Sequence, residues 1–119
     1  MQATIEAPAM DGNLLTPAYT PSPGEILKME LEARGWRQSE FAVIIGKPAQ
    51  AISELIHARK QLTPETALRI ASALGTSPQL WSSLEADYRL SLARHKLPLS
   101  EIRAIEARSQ RHQQKSAPV

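Results

Sequence analysis

Cysteine is absent from this chain of 119 residues, which excludes disulfides, thiolate metal sites, iron–sulfur clusters and cysteine nucleophiles together. No stretch approaches the ~20 apolar residues that a membrane helix requires. The first ten residues contain neither the basic region nor the apolar run of a signal peptide. We therefore expect a cytoplasmic protein that does not associate with membranes.

The sequence also lacks the motifs of common catalytic and cofactor sites. Its three histidines, His57, His95 and His112, are too far apart to form a metal-ligand motif. All five glycines are isolated, so the chain has neither a phosphate-binding loop nor a Gly-x-Ser-x-Gly sequence. We therefore expect a protein that is not an enzyme and that binds no metal or cofactor.

Proline and glycine divide the chain into three parts. Residues 1–21 contain three prolines, no lysine or arginine and no helical periodicity, which predicts a flexible arm. Residues 22–90 carry apolar stripes at helical spacing, separated by turn signals. Residues 91–119 form a basic extension, in which we expect one short helix over 100–108 and a frayed end. No apolar alternation of strand length occurs, so the pattern predicts an all-α bundle.

Start and end signals predict five helices within residues 22–90. Serine or threonine followed by proline predicts three of the starts, and glycine predicts three of the ends. We expect the five helices to begin near Ser22, Gln38, Pro48, Thr63 and Ser77.

The inward faces are expected to include Leu68, Leu80 and, on the C-terminal helix, Ile105. The spacing predicts that Trp81 packs in the core or at a dimer interface.

The most informative segment is 38–57, where two short helices meet at one glycine. Gly46 tolerates the positive φ that a tight corner needs, and the small Ala42 lies where the second helix crosses the first. The remaining positions that must be buried are apolar: Phe41, Ile45, Ile52 and Leu55. This is the spacing of a DNA-binding helix-turn-helix, although an αα corner in any small helical bundle uses the same residue types.

If the second helix of this corner is a recognition helix, its polar residues suit contact with bases. Gln50 can form paired hydrogen bonds with adenine N6 and N7, and Ala49 offers a methyl group suited to thymine. Ser53 can reach a base edge or a phosphate. Glu54 is either a reader of cytosine or turned aside, and His57 is either a polar helix-end residue or a base reader.

Candidate phosphate contacts lie on both sides of this helix: Gln38, Lys47, Arg59 and Lys60. Gln38 begins the preceding helix, where free backbone N–H groups can bind an anion. Five basic residues stand against two acidic residues between positions 34 and 60. Arg34 and Arg37 are further members of this basic set, which favours an edge that faces an anion.

Residues 23–90 resemble the HigA-like antitoxins, a branch of the Xre/Cro–C1 helix-turn-helix family. Three segments carry the resemblance: PGEILKMELEARGW (23–36), QSEFAVIIGKPAQAISELI (38–56) and LTPETALRIASALGTSPQLWSSLEADYRL (62–90). The resemblance implies a five-helix, lambda-repressor-like DNA-binding domain. It also implies DNA contacts at Gln38, Lys47, Ala49, Gln50 and Ser53. The sequence departs from many relatives at Arg37, where they carry a threonine or serine cap, and at His57-Ala58, where they carry Asn-Gly.

The same resemblance implies partners. These are a second copy of the chain, a palindromic double-stranded operator in the protein's own promoter, and a HigB-like toxin. Such toxins belong to the RelE/ParE superfamily and cleave messenger RNA on the ribosome. Two alternatives stay open: a stand-alone Cro/C1-type regulator without a toxin, and a helical interaction module that never touches DNA.

Overall fold

The computed structural model describes residues 19–116, so the predictions for residues 1–18 of the N-terminal arm lie outside the described part. Within it the chain forms helices and no strands, which confirms the all-α fold class. The helices are α1 (Pro23–Arg34), α2 (Gln38–Ile45), α3 (Ala49–Ile56), α4 (Pro64–Leu74), α5 (Pro78–Lys96) and α6 (Leu99–Ser116). No helix over this range is long and apolar enough to cross a membrane.

The predicted start signals act through hydrogen bonds at the helix ends. Ser22 Oγ accepts from the Glu25 backbone N–H at 3.3 Å, and the Glu25 carboxylate accepts from the Ser22 N–H at 3.2 Å. This reciprocal pair is the capping box that the sequence predicts for α1. Thr63 caps α4 by accepting from the Thr66 N–H at 3.2 Å. These local bonds fix where the helices begin.

One compact unit ends at Arg89, within α5, and its core is formed by α1 to α4 and the start of α5. Helix α3 contacts both α1 and α2, and α2 also contacts α4. The largest fully buried side chains are Trp81, Phe41, Leu27, Ile52 and Ile70. Trp81 therefore packs in the core, and its indole N–H donates to Thr76 Oγ1 at 2.8 Å.

Three apolar residues expected to face inward are exposed instead: Leu68, Leu80 and Ile105. On α4 the buried residues Ala67, Ile70, Ala71 and Leu74 occupy one narrow face. Leu68 lies about 100° around the helix from Ala67, beyond the edge of that face. Apolar spacing alone does not reveal how wide the packed face will be.

A second compact unit begins at Leu90 and contains α6. We expected a helix over 100–108, but α6 continues to Ser116. The reason is local, since no proline or glycine occurs between Leu99 and Ala117 to stop it. Within α6, Arg108 donates to the Glu101 carboxylate at 3.1 Å. The boundaries 22–90 and 91–119 that we assigned to domains stay predictions.

Gly24 permits a close approach that the sequence did not reveal. A Cβ atom at this position would lie 2.1 Å from the Leu55 carbonyl oxygen and 2.6 Å from that of Ile56. The N-terminal end of α1 therefore sits directly against the C-terminal end of α3. This arrangement also brings the positive end of one helix dipole to the negative end of the other.

Replacement of Gly24 by alanine should destabilise the protein. Helix propensity alone favours alanine by about 1 kcal/mol, but the added methyl group would collide with backbone atoms that cannot rotate away. We expect the free energy of unfolding to fall by about 1–3 kcal/mol, as for other overpacked sites. Urea denaturation measures the change, with the exposed Lys28→Ala on the same helix as a control. A more stable Gly24→Ala protein would contradict the close approach.

Candidate nucleic-acid interface

The α2–α3 corner turns at Gly46, as predicted. Gly46 has φ +72°, and the Lys47 backbone N–H donates to the Ala42 carbonyl at 2.9 Å, which closes the end of α2. Ala42 is buried, as are Phe41 and Ile45. A small residue at position 42 lets α3 cross α2 closely, so the two helices hold the geometry of a helix-turn-helix.

Arg69 on α4 holds this corner from outside, and sequence analysis did not single it out. Its Nη1 donates to the Ile45 carbonyl oxygen at 2.8 Å, where α2 ends. Its Nε and Nη2 donate to one carboxylate oxygen of Glu65 at 3.2 and 2.9 Å. The four-residue spacing of Glu65 and Arg69 signals a helix pair, but nothing local signals the contact with Ile45.

Helix α3 buries Ile52, Leu55 and Ile56 and turns its polar side outward. Ala49 and Gln50 are exposed at its N-terminal end, and Ser53 is half-buried on the next turn. The predicted base-reading residues therefore share one accessible face. Residues at the N-terminal end of a recognition helix are the ones that contact base edges in such motifs. Their contact with DNA stays a prediction.

Hydrogen bonds within α3 and its end orient the side chains of Gln50 and His57. Gln50 Nε2 donates to Glu54 Oε2 at 3.4 Å, so Glu54 lies beside the predicted adenine reader. His57 Nδ1 lies 2.8 Å from the Ser53 carbonyl oxygen. Because a carbonyl only accepts, Nδ1 must carry the hydrogen of this bond. This bond keeps the His57 ring over the C-terminal end of α3, away from Ala49 and Gln50.

Two of the predicted phosphate contacts, Lys47 and Lys60, line one groove beside α3. The groove has a volume of about 280 Å³, and its other charged lining residues are Glu54 and Glu65. Lys47 Nζ lies 3.9 Å from Glu65 Oε1, so the lysine already has an acidic neighbour. Hydrogen bonds from Arg69, then the charges of Arg69 and Lys47, lower the pKa of Glu65. Glu65 is therefore ionised at neutral pH.

Gln38 is the first residue of α2, and the residue before it cannot cap the helix through its side chain. Arg37 has no acceptor group, so only the reverse bond forms, from the Arg37 backbone N–H to Glu40 Oε1 at 2.8 Å. This bond, together with the charge of Arg37, lowers the pKa of Glu40. The free N–H groups of the first turn stay available to an outside acceptor such as phosphate.

The remaining basic residues of the segment differ in their surroundings. Arg59 is exposed immediately after the turn that follows α3. Arg34 lies at the surface, where it pairs with Glu30 at 2.6 Å and donates to the Leu74 carbonyl at 3.3 Å. Arg34 therefore ties α1 to the end of α4, and its contact with phosphate stays a prediction.

Ala58 forms the turn that leads from α3 to Arg59. It has φ +59°, the left-handed conformation that glycine adopts without a steric penalty and that asparagine tolerates better than alanine. The Arg59 N–H donates to Glu54 O at 2.8 Å and the Ala58 N–H donates to Leu55 O at 3.1 Å, a Schellman motif. The chain therefore ends α3 in a left-handed turn of the kind that glycine favours, with an alanine in the strained position.

Comparison with known proteins assigns this arrangement to a family. A family described as helix-turn-helix matches residues 27–81. The HTH-type transcriptional regulator YddM of Escherichia coli (strain K12) is 30% identical over 88 residues, which cover 74% of this chain and 94% of YddM. This chain belongs to the helix-turn-helix family of DNA-binding transcriptional regulators. The assignment confirms the Xre/Cro–C1 resemblance of the sequence.

Solved structures within the helix-turn-helix family show the same fold. The antitoxin HigA of Pseudomonas aeruginosa, solved with the higBA promoter, superposes with a TM-score of 0.63 at 24% identity, over 66% of this chain and 86% of that one. An addiction-module antidote protein of the HigA family from Coxiella burnetii gives 0.62 at 25% identity, over 84% of this chain and 97% of that one.

Replacement of Ala58 by glycine should stabilise this helix-turn-helix protein. Glycine removes a left-handed penalty of about 1–2 kcal/mol from the folded state. It also raises the conformational entropy of the unfolded chain, which lowers the free energy of unfolding by about 0.4–1 kcal/mol. The expected net gain in the free energy of unfolding is therefore about 0.5–1 kcal/mol, measured by urea denaturation. The matched control is Ala86→Gly, at an exposed helical position, where the free energy of unfolding should fall by a similar amount. A loss at both positions would mean that Ala58 is not left-handed in solution.

Proposed function

We propose that this helix-turn-helix regulator is an antitoxin that represses its own promoter in the cytoplasm. In this proposal two copies of the chain bind a palindromic operator, and each copy places α3 in a major groove. The same protein neutralises a HigB/RelE-like toxin that cleaves messenger RNA. No cofactor takes part in either activity.

The single observation that carries the DNA-binding part is the composition of the exposed face of α3. Ala49, Gln50 and Ser53 present a methyl, an amide and a hydroxyl group toward solvent, and apolar residues fill the opposite face. Direct readout of the major groove uses these chemical groups. Lys47 and Lys60 in the adjacent groove supply positive charge for the phosphates.

The antitoxin part is supported by the fold neighbours. The Coxiella burnetii protein is titled an antidote protein of the HigA family, and its fold matches this chain over most of both chains. The Pseudomonas aeruginosa antitoxin was solved with the promoter of its own operon, which supports autorepression. In a dimer that binds a palindrome, the two α3 helices would lie about 34–36 Å apart, one turn of DNA.

A second candidate is a stand-alone Cro/C1-type regulator without a toxin. The similarity to YddM, which is named as a transcriptional regulator, favours it. Co-expression with the product of the neighbouring gene separates the two candidates. A stable complex that abolishes messenger RNA cleavage supports the antitoxin, and the absence of such a complex supports the stand-alone regulator.

Substitution of Gln50 and of Lys47 should affect DNA binding in different ways. Gln50→Ala removes a base contact, so we expect a loss of about 1–3 kcal/mol on a duplex selected by the protein and little change on random duplex. Lys47→Ala removes a phosphate contact, so affinity should fall on both duplexes and the salt slope should decrease by about one unit. Fluorescence anisotropy titrations at several salt concentrations measure both effects.

The exposed Gln79→Ala on α5 is the control for Gln50→Ala, because it removes the same amide group outside the candidate interface. It should leave both affinities unchanged. If Gln50→Ala weakens the selected and the random duplex equally, Gln50 does not read a base.

A further inference from the structure

Glu65 occupies an unusual place beside the candidate interface. One of its carboxylate oxygens accepts two hydrogen bonds from Arg69, and the other lies 3.9 Å from Lys47 Nζ. Arg69 is itself fixed to the end of α2 through the Ile45 carbonyl. Two nitrogens of the guanidinium, Nε and Nη2, therefore hold the carboxylate opposite Lys47, on the wall of the groove that Lys60 also lines.

We propose that Glu65 is a built-in competitor of DNA phosphate for Lys47, and that Arg69 is the positioning residue that holds Glu65 in place. The proposal rests on the DNA-binding function proposed above and deepens it. In the free protein the Glu65 carboxylate forms an ion pair with the Lys47 ammonium group. On DNA, Lys47 exchanges the carboxylate for a phosphate oxygen.

The exposure of the pair makes this exchange feasible. The side chains of Lys47 and Glu65 are 28% and 63% exposed, so water and salt screen their attraction. Glu65 keeps both hydrogen bonds from Arg69 when Lys47 leaves, so its charge is not stranded. Arg69 Nη1 also lies 3.3 Å from the position that a Cβ atom on Gly46 would take. Arg69 therefore contacts both the Glu65 carboxylate and the α2–α3 turn.

The competition has a defined consequence for binding. Every duplex presents phosphates, so the cost of separating Lys47 from Glu65 applies to all DNA sequences alike. In the proposed function Gln50 contacts a base edge and not a phosphate, so its contribution to discrimination is separate from this cost. Glu65 thus lowers affinity for operator and random DNA by the same factor and leaves their ratio unchanged.

The test uses the full chain, a duplex that the protein selects from a random pool, and a random duplex. Glu65→Gln should bind both duplexes about 2–5-fold more tightly. The slope of log K against log salt should steepen by up to about one unit, because one acidic charge leaves the interface. In a Lys47→Ala background the same Glu65→Gln change should not alter DNA affinity, because the lysine for which Glu65 competes with phosphate is absent.

Two controls separate this role from a structural one. Glu85→Gln removes a carboxylate that also pairs with an arginine four residues later, on α5 and outside the groove, and it should leave DNA affinity unchanged. Thermal unfolding reports any damage to the fold. Weaker binding by Glu65→Gln together with a lower Tm would mean that the residue is only structural, and would overturn the proposal.

Other outcomes also decide the question. A gain that persists in the Lys47→Ala background would mean that Glu65 repels DNA directly, which overturns its action through Lys47. Unchanged affinity of Glu65→Gln, while the unsubstituted chain still binds its selected duplex, overturns this inference alone. If the unsubstituted chain binds no duplex, the proposed function fails and this inference fails with it.

Discussion

The left-handed turn at Gly46 is the constraint on which the candidate interface depends. With φ at +72° it turns the chain sharply and directs α3 across the buried Ala42. Arg69 reinforces the turn through the Ile45 carbonyl, which α2 leaves without an intrahelical partner. At the far end of α3, Gly24 allows α1 to press against the last carbonyls of the helix. A tight turn therefore precedes α3, a close backbone approach lies at its C-terminal end, and its polar outer face stays accessible.

The features that the sequence predicted well are those with local causes. Helix starts at Ser22 and Thr63, and the corner at Gly46, follow from hydrogen bonds and φ preferences within a few residues.

Exposure of Leu68 and the close approach at Gly24 could not be predicted, because both depend on helices that are distant in sequence. Sequence spacing placed Ala49, Gln50 and Ser53 on one face, but it could not show that Glu65 lies against Lys47.

Charge in this protein acts through position and not through its total. The formal net charge is only +2, yet the groove beside α3 combines Lys47 and Lys60 with two carboxylates. A regulator needs a much lower affinity for random DNA than for its operator, but attraction to phosphate raises both affinities. In the proposed exchange, the Glu65 carboxylate next to Lys47 reduces that general attraction and leaves the predicted base-reading residues unaffected. Arg69 holds this carboxylate and also binds the end of α2 at the turn.

The central claim is that α3 reads base sequence, and one measurement tests it most directly. The unsubstituted chain selects duplexes from a random pool, and its dissociation constants for the selected duplex and for a shuffled duplex of equal length are then compared at physiological salt. If α3 reads base sequence, the selected sequence is palindromic and the ratio is at least about 10³, the lower bound for specific DNA-binding proteins. Equal dissociation constants for the two duplexes would contradict the account.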